Sequence, residues 1–131
     1  MKNCGQIMTS NPVCCVGNDT IEYVAQCMRN YDVGPILIVE NNLTKKLIGI
    51  VTDRDIALKM AEGLNPKTTP VSQVMTRNIV SCQEEDTIAD ALQVMADHRI
   101  RRIPVLDNAN HLVGIISQSD LFGLFQRPPG S

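Results

Sequence analysis

Gly114-Ile115-Ile116-Ser117-Gln118-Ser119-Asp120 repeats, with conservative changes, an earlier stretch, Gly49-Ile50-Val51-Thr52-Asp53-Arg54-Asp55. Each copy is an apolar run that ends in a hydroxyl residue, with an aspartate three positions further on. A strand that ends at the hydroxyl and turns directly into a helix places that aspartate in the first helical turn. Free backbone N–H groups and the positive end of the helix dipole lie beside it there.

The duplication extends outward from this pair. Ile7-Met8-Thr9-Ser10-Asn11-Pro12-Val13 matches Val74-Met75-Thr76-Arg77-Asn78-Ile79-Val80, with Met8 and Met75 separated by 67 positions. Asp19-Thr20-Ile21 and Asp86-Thr87-Ile88 keep that offset, as do Met28 and Met95, then Ile36 and Ile103. Between Gly49 and Gly114 the offset is 65, so the first copy carries two extra residues near Thr44-Lys45-Lys46. A polar turn is where such an insertion is tolerated.

Each copy implies the same local order. A short extended piece (Val13 to Val16; Ile79 to Cys82) leads to a helix start at Asp19-Thr20 or Asp86-Thr87, good N-cap chemistry. Asp19 to Glu22 also has capping-box spacing. Ile21, Val24, Ala25 and Met28, and in the second copy Ile88, Ala91, Leu92 and Met95, fall on one helical face. Two strands follow in each half, Ile36–Val39 and Leu47–Val51 about Asn41-Asn42, then Ile103–Leu106 and Leu112–Ile116 about Asp107-Asn108. A second helix runs from Arg54 to Glu62, stopped by Gly63, or from Ser119 to about Phe125, ahead of Pro128-Pro129. Asn65 to Pro70 is read as the connector and Gln126 to Ser131 as a frayed tail.

Composition narrows the function classes. With 44% hydrophobic and 20% charged residues the 131-residue chain has the profile of a globular protein, expected in the cytoplasm. A net charge of −2 gives no electrostatic basis for nucleic acid as the main partner. No apolar run is long enough for a membrane span, and no signal peptide is visible. Without Trp and with two Tyr and two Phe, the core is expected to be aliphatic and sulfur-containing. The five cysteines (Cys4, Cys14, Cys15, Cys27, Cys82) include no C-x-x-C, and neither His98 nor His111 stands near one at zinc-ligand spacing. They are expected to be packed, reduced thiols, with no metal site. Glycine-rich phosphate loops, the G-x-S-x-G elbow and H-E-x-x-H are all missing, so no catalytic residues are assigned.

Two β-α-β-β-α units with a Met-Thr start, an Ile-Pro-Val-Leu-Asp strand and a Gly-x-x-[Ser/Thr]-x-x-Asp exit resemble a pair of CBS domains, the Bateman module. The resemblance covers about Ile7 to Phe125. It implies an α+β fold of two tandem β-α-β-β-α CBS repeats, 1–65 and 66–131, packed sheet to sheet with pseudo-twofold symmetry. It also implies clefts for adenosine-containing ligands and a homodimer. A carboxylate accepts both hydroxyls of a ribose, which suits Asp55 and Asp120. Thr52 and Ser117, near helix N-termini, suit phosphate oxygens, with Ser119 beside Ser117. The family positions for an adenine slot are Asn11-Pro12-Val13 with Ile36 in the first repeat. In the second they are Asn78-Ile79-Val80 with Ile103, and Thr76 and Pro104 are further ligand-binding candidates beside them.

The two halves differ in charge. Arg99-Ile100-Arg101-Arg102 precedes the second Ile-Pro-Val strand, whereas Asp32-Val33-Gly34-Pro35 holds the corresponding place in the first, where Leu37 also replaces Pro104. Arginine grips phosphate with a bidentate fork that Gly34 and Pro35 cannot supply. The second site, with Arg101 and Arg102, is therefore expected to prefer a phosphorylated ligand such as AMP, ADP or ATP. The first, which keeps Gly34 and Pro35 as ligand-binding candidates, is expected to take a weaker ligand or stay empty, with Arg54 reaching across toward phosphates in the neighbouring cleft.

The expected function is a regulatory sensor of adenine nucleotides, needing no cofactor, that acts through its dimer or on an unidentified protein partner. The alternatives are a ligand-free dimerisation module, in which each hydroxyl–Asp pair is only a helix cap, and a thiol-based metal or redox sensor using Cys14 and Cys15.

Overall fold

The structure, a computed structural model, describes residues 2–125. The tail expected over Gln126 to Ser131 lies outside the described residues. In chain order the elements are α1 (Cys4–Ile7), β1 (Thr9–Ser10), β2 (Cys14–Val16), α2 (Ile21–Tyr31), β3 (Ile36–Val39), β4 (Leu47–Val51) and α3 (Asp53–Ala61). After a 3-10 turn, Val71–Gln73, come β5 (Cys82–Gln83), α4 (Ile88–His98), β6 (Arg102–Leu106), β7 (Leu112–Ser117) and α5 (Gln118–Phe125). The mixed α+β class and both strand–helix–strand–strand–helix runs agree with the sequence reading. The additions are α1, β1 and the 3-10 turn, all too short for a periodic signal.

The chain divides into two compact units that do not follow the repeat boundaries. One is Val13–Ile79; the other joins the residues up to Pro12 with those from Val80 onward. The sheets explain the exchange. In the first unit β2 pairs parallel with β3 and β3 antiparallel with β4, and Thr76 bridges Ile50. In the other, β5 pairs parallel with β6, β6 antiparallel with β7, and β1 closes the far edge, Thr9 opposite Ile115 and Ser10 opposite Gly114. Each unit thus completes its sheet with the segment that opens the other repeat.

Equivalent backbone bonds anchor the two exchanged segments. Val71 N–H donates to Asp19 O (2.8 Å) and Ser72 N–H to Gly17 O (3.1 Å). In the other unit Cys4 N–H donates to Asp86 O (2.8 Å) and Gly5 N–H to Glu84 O (2.8 Å). An unpaired edge and a half-covered core both favour such an addition, because the backbone groups and the apolar side chains are satisfied together. Val71 and Cys4, at matching places, are fully buried.

One core gathers Cys15, Ile21, Val24, Cys27, Met28, Ile36, Ile38, Val51, Val71, Val74 and Met75. The second gathers Cys4, Cys82, Ala91, Met95, Ile103, Val105, Ile116 and Leu121. On α2 the buried face is Ile21, Val24, Cys27 and Met28, and Ala25, expected inside, is exposed. The expected Asp19–Glu22 capping box is not formed. Thr20 is the N-cap, accepting from Tyr23 N–H, while the Asp19 carboxylate accepts from Val16 N–H at 2.9 Å. Asp is as good a turn former as a cap, and the tight turn after β2 claims its side chain first. Both long helices end on a left-handed residue, Asp32 at φ 53° and Arg99 at φ 54°, again at matching places.

Candidate functional site

The repeated hydroxyl–aspartate motif sits where expected, at the exits of β4 and β7. Thr52 caps α3: its Oγ1 accepts from Asp55 N–H at 3.2 Å, and Asp55 Oδ2 accepts from Thr52 N–H at 2.9 Å. Ser117 and Asp120 repeat the exchange at 3.2 Å in both directions, and Ser117 Oγ lies 3.0 Å from Ser119 Oγ. In both places the reciprocal bonds orient the carboxylate through Oδ2. A cap and a binding group are compatible roles for one aspartate, since a carboxylate offers two oxygens.

In the second repeat the strand ladder brings cations to this corner. Arg102 pairs with Ser117 across β6 and β7, and Gln118 N–H donates to Arg101 O at 2.7 Å. A cavity of about 310 Å³ results, lined by Arg101, Arg102, Ser117, Gln118, Ser119 and Phe122. Four of these were expected from the sequence and two were not. Gln118 and Phe122 stand four apart on α5, with Ser119 three before Phe122, so one helical face carries all three. Nothing in the local sequence separates Phe122 from a core aromatic residue, yet it is half exposed. Asp120, exposed, adjoins the cavity in sequence without lining it.

The other expected ligand-binding residues are distributed differently from the sequence grouping. Asn11, exposed at φ 53°, and half-buried Pro12 belong to the unit of Ser117 and Asp120, as does Val80. Thr76, Asn78 and half-buried Ile79 belong to the unit of Thr52 and Asp55, with Val13, Gly34, Pro35 and Arg54. The exchange of opening segments is the reason. Ile36 and Ile103 are completely buried within their cores, and Pro104 is buried as well. In the first unit Gly34 lies beside Asp53, whose Oδ1 accepts from Arg54 N–H at 3.0 Å.

The thiols are placed by packing. Cys14 and Cys15 are neighbours on β2, so they point to opposite faces and cannot act as a pair. Cys15 Sγ instead lies 3.9 Å from Cys27 Sγ inside the core, where burial pushes the Cys15 thiol up. Cys4 Sγ donates to Thr87 O at 3.6 Å; the neighbouring Cys82 pulls the Cys4 thiol down, while Cys4 and burial push the Cys82 thiol up. Among the described residues no group of three or more His, Cys, Asp or Glu side chains is placed to hold a metal ion. Ellman's reagent is therefore expected to react first with half-buried Cys14 and with the other four only after denaturation. Rapid native labelling of Cys15 or Cys27 would contradict this packing.

No helix among the described residues is long and apolar enough to cross a membrane. Known proteins bear directly on this geometry. The CBS domain model matches residues 4–62 and again 71–127. The CBS domain-containing protein YhcV of Bacillus subtilis is 41% identical over 116 residues, 88% of this chain and 76% of that protein. The crystal structure of Hypoxic Response Protein I with two coordinated zinc ions is similar with a TM-score of 0.83 and 31% identity, covering 97% of this chain and 100% of that one. The CBS domain pair of protein MJ0100, solved with 5-methylthioadenosine and S-adenosyl-L-methionine, matches with a TM-score of 0.78 and 26% identity, covering 95% and 96%. Two matches of one family model, in tandem and across nearly the whole sequence, mean that the chain belongs to the CBS domain family as a pair of repeats.

Proposed function

We propose that this CBS pair is a non-catalytic regulatory module that binds adenosine nucleotides such as AMP, ADP or ATP. The observation that carries this reading is the Arg101–Arg102–Ser117–Ser119 cavity at the start of α5. Two guanidinium groups, two hydroxyls and the helix dipole converge there, an arrangement that suits phosphate. Phe122 supplies a flat apolar wall for a base. Asp120, exposed beside the cavity and oriented by its bond from Ser117 N–H, offers its carboxylate as the acceptor for a ribose. The adenosine compounds bound by the MJ0100 pair support the ligand class. The corner at Thr52 and Asp55 has the capping geometry without the paired arginines, so it serves as the weaker site.

The response passes to a protein partner or through a cytoplasmic homodimer. Tyr23 and Tyr31 on α2 and Leu58 and Met60 on α3 are large apolar side chains left exposed in one unit, which suits self-association.

Calorimetric titration with adenosine, AMP, ADP, ATP, NAD and S-adenosylmethionine tests the reading. The phosphorylated ligands are expected to bind more tightly than adenosine. Replacing Arg101 and Arg102 together by alanine is expected to weaken AMP by about 100-fold or more and to leave adenosine unchanged, since each charged hydrogen bond contributes about 1.5–3 kcal/mol. No binding by any of these at millimolar concentration overturns the nucleotide function. Unchanged affinity in Asp120→Ala removes Asp120 from the site but not the function.

A further inference from the structure

A larger cavity, about 450 Å³, lies within the unit of Val13–Ile79, at the other end of the β3–β4 hairpin from Thr52 and Asp55. Val16, Ile48 and Met75 form its apolar floor, and Asn18, Glu40 and Arg77 its polar rim. We propose that this cavity is a second ligand site, independent of the nucleotide site, that takes a free α-amino acid with an apolar side chain.

The rim carries one charge of each sign. Arg77 is tethered through Nη2 to Ser72 O at 3.4 Å, and Glu40 is held at the mouth by its N–H bond to Lys46 O at 2.8 Å. Among the described residues neither Glu40 nor Arg77 makes an ion pair, with each other or with any other side chain. A zwitterion small enough for its two ends to share one rim would satisfy both. The carboxylate goes to the Arg77 fork and the ammonium to Glu40. Between them an aliphatic or thioether side chain covers Val16, Ile48 and Met75, the usual division of a small-ligand pocket into apolar floor and few polar anchors. Met75 is held on that floor by Gly49, whose missing Cβ makes room for its sulfur.

The second repeat is an internal control. By the repeat offset Arg77 corresponds to Ser10, Val16 to Gln83 and Asn18 to Glu85, so the cation and part of the apolar floor are absent. Glu40 corresponds to Asp107, whose carboxylate is committed to its own turn, accepting from Ala109 N–H and His111 N–H at 2.9 Å each and contacting His111 Nδ1 at 3.2 Å. Those bonds hold Asp107 below the usual carboxylate range. The same place in one fold is thus self-satisfied in one copy and left with open charges in the other.

The test is a titration of the full chain with L-leucine and L-methionine, followed by amide NMR and calorimetry. Saturable shifts are expected at Val16 to Asn18 and at Glu40 to Asn42. Leucinol and 4-methylpentanoate, which lack the carboxylate and the ammonium respectively, are expected to bind at least about tenfold more weakly, as is leucine to Arg77→Ala or Glu40→Gln. Both side chains are exposed, so these variants should fold; urea unfolding midpoints of Arg77→Ala and Glu40→Gln, expected to match the unaltered chain, confirm that they have. Three results overturn the proposal: no saturable shifts with either amino acid, leucinol binding as well as leucine, or undiminished binding in both variants. None of them touches the nucleotide reading, which rests on other residues.

Discussion

Gly114→Val is expected to loosen β1 from β7 and to destabilise the protein by about 2–3 kcal/mol, the cost of overpacking a close contact. A Cβ at this glycine would overlap Met8 Sδ and stand 2.7 Å from Met8 Cγ and 2.9 Å from Thr9 O. The methionine can swing aside. The carbonyl cannot, because Thr9 lies in the ladder opposite Ile115. Gly49 is the instructive comparison, since all three of its nearest atoms belong to the Met75 side chain. Gly49→Ala should therefore be rescued in a Met75→Ala background, measured against that background alone, whereas Met8→Ala should rescue Gly114→Val only in part. Urea unfolding midpoints of the two double-mutant cycles decide the matter. Full rescue of Gly114→Val by Met8→Ala would mean that the backbone approach is unimportant.

Ile103→Ala is expected to cost about 3–4 kcal/mol, on the scale of other buried isoleucine truncations. Ile103 is fully buried, in one core with Val105, Ile116, Ala91 and Met95, so the change leaves a cavity that rigid strand neighbours cannot close. Its counterpart Ile36 is equally buried, and Ile36→Ala should cost a similar amount in the other unit. Thermal unfolding is the readout, with a fall in Tm on the order of 10 °C for each variant. Nucleotide affinity of the folded fraction distinguishes packing from contact. An affinity loss beyond tenfold without a matching loss of stability would mark Ile103 as a contact of the adenine slot.

These two residues illustrate how far the chain could be read directly. Ile36 and Ile103 are reached by the repeat offset alone, and the offset locates them on equivalent strands without saying which neighbours cover them. The same holds for Gly49 and Gly114. Both were visible as repeated glycines, while the sulfur and the carbonyl that fill the missing Cβ come from segments more than twenty residues away in one case and more than a hundred in the other. At the nucleotide corner, Arg101, Arg102, Ser117 and Ser119 were legible as motif residues. Phe122 was not, because an aromatic residue on an amphipathic helix gives the same sequence signal whether it faces a core or a cavity.

By itself the sequence determined the duplication, the α+β class, strands β3 and β4 to the residue, and the hydroxyl–aspartate exits. All of these rest on local periodicity, capping chemistry and internal comparison. Only the tertiary structure decided that each unit takes its outer strand or bridge from the start of the other repeat. That exchange fixes which adenine-slot residues accompany Asp55 and which accompany Asp120. Edge pairing obeys the supply of free backbone groups and uncovered apolar surface, and neither is written in the order of residues along the chain.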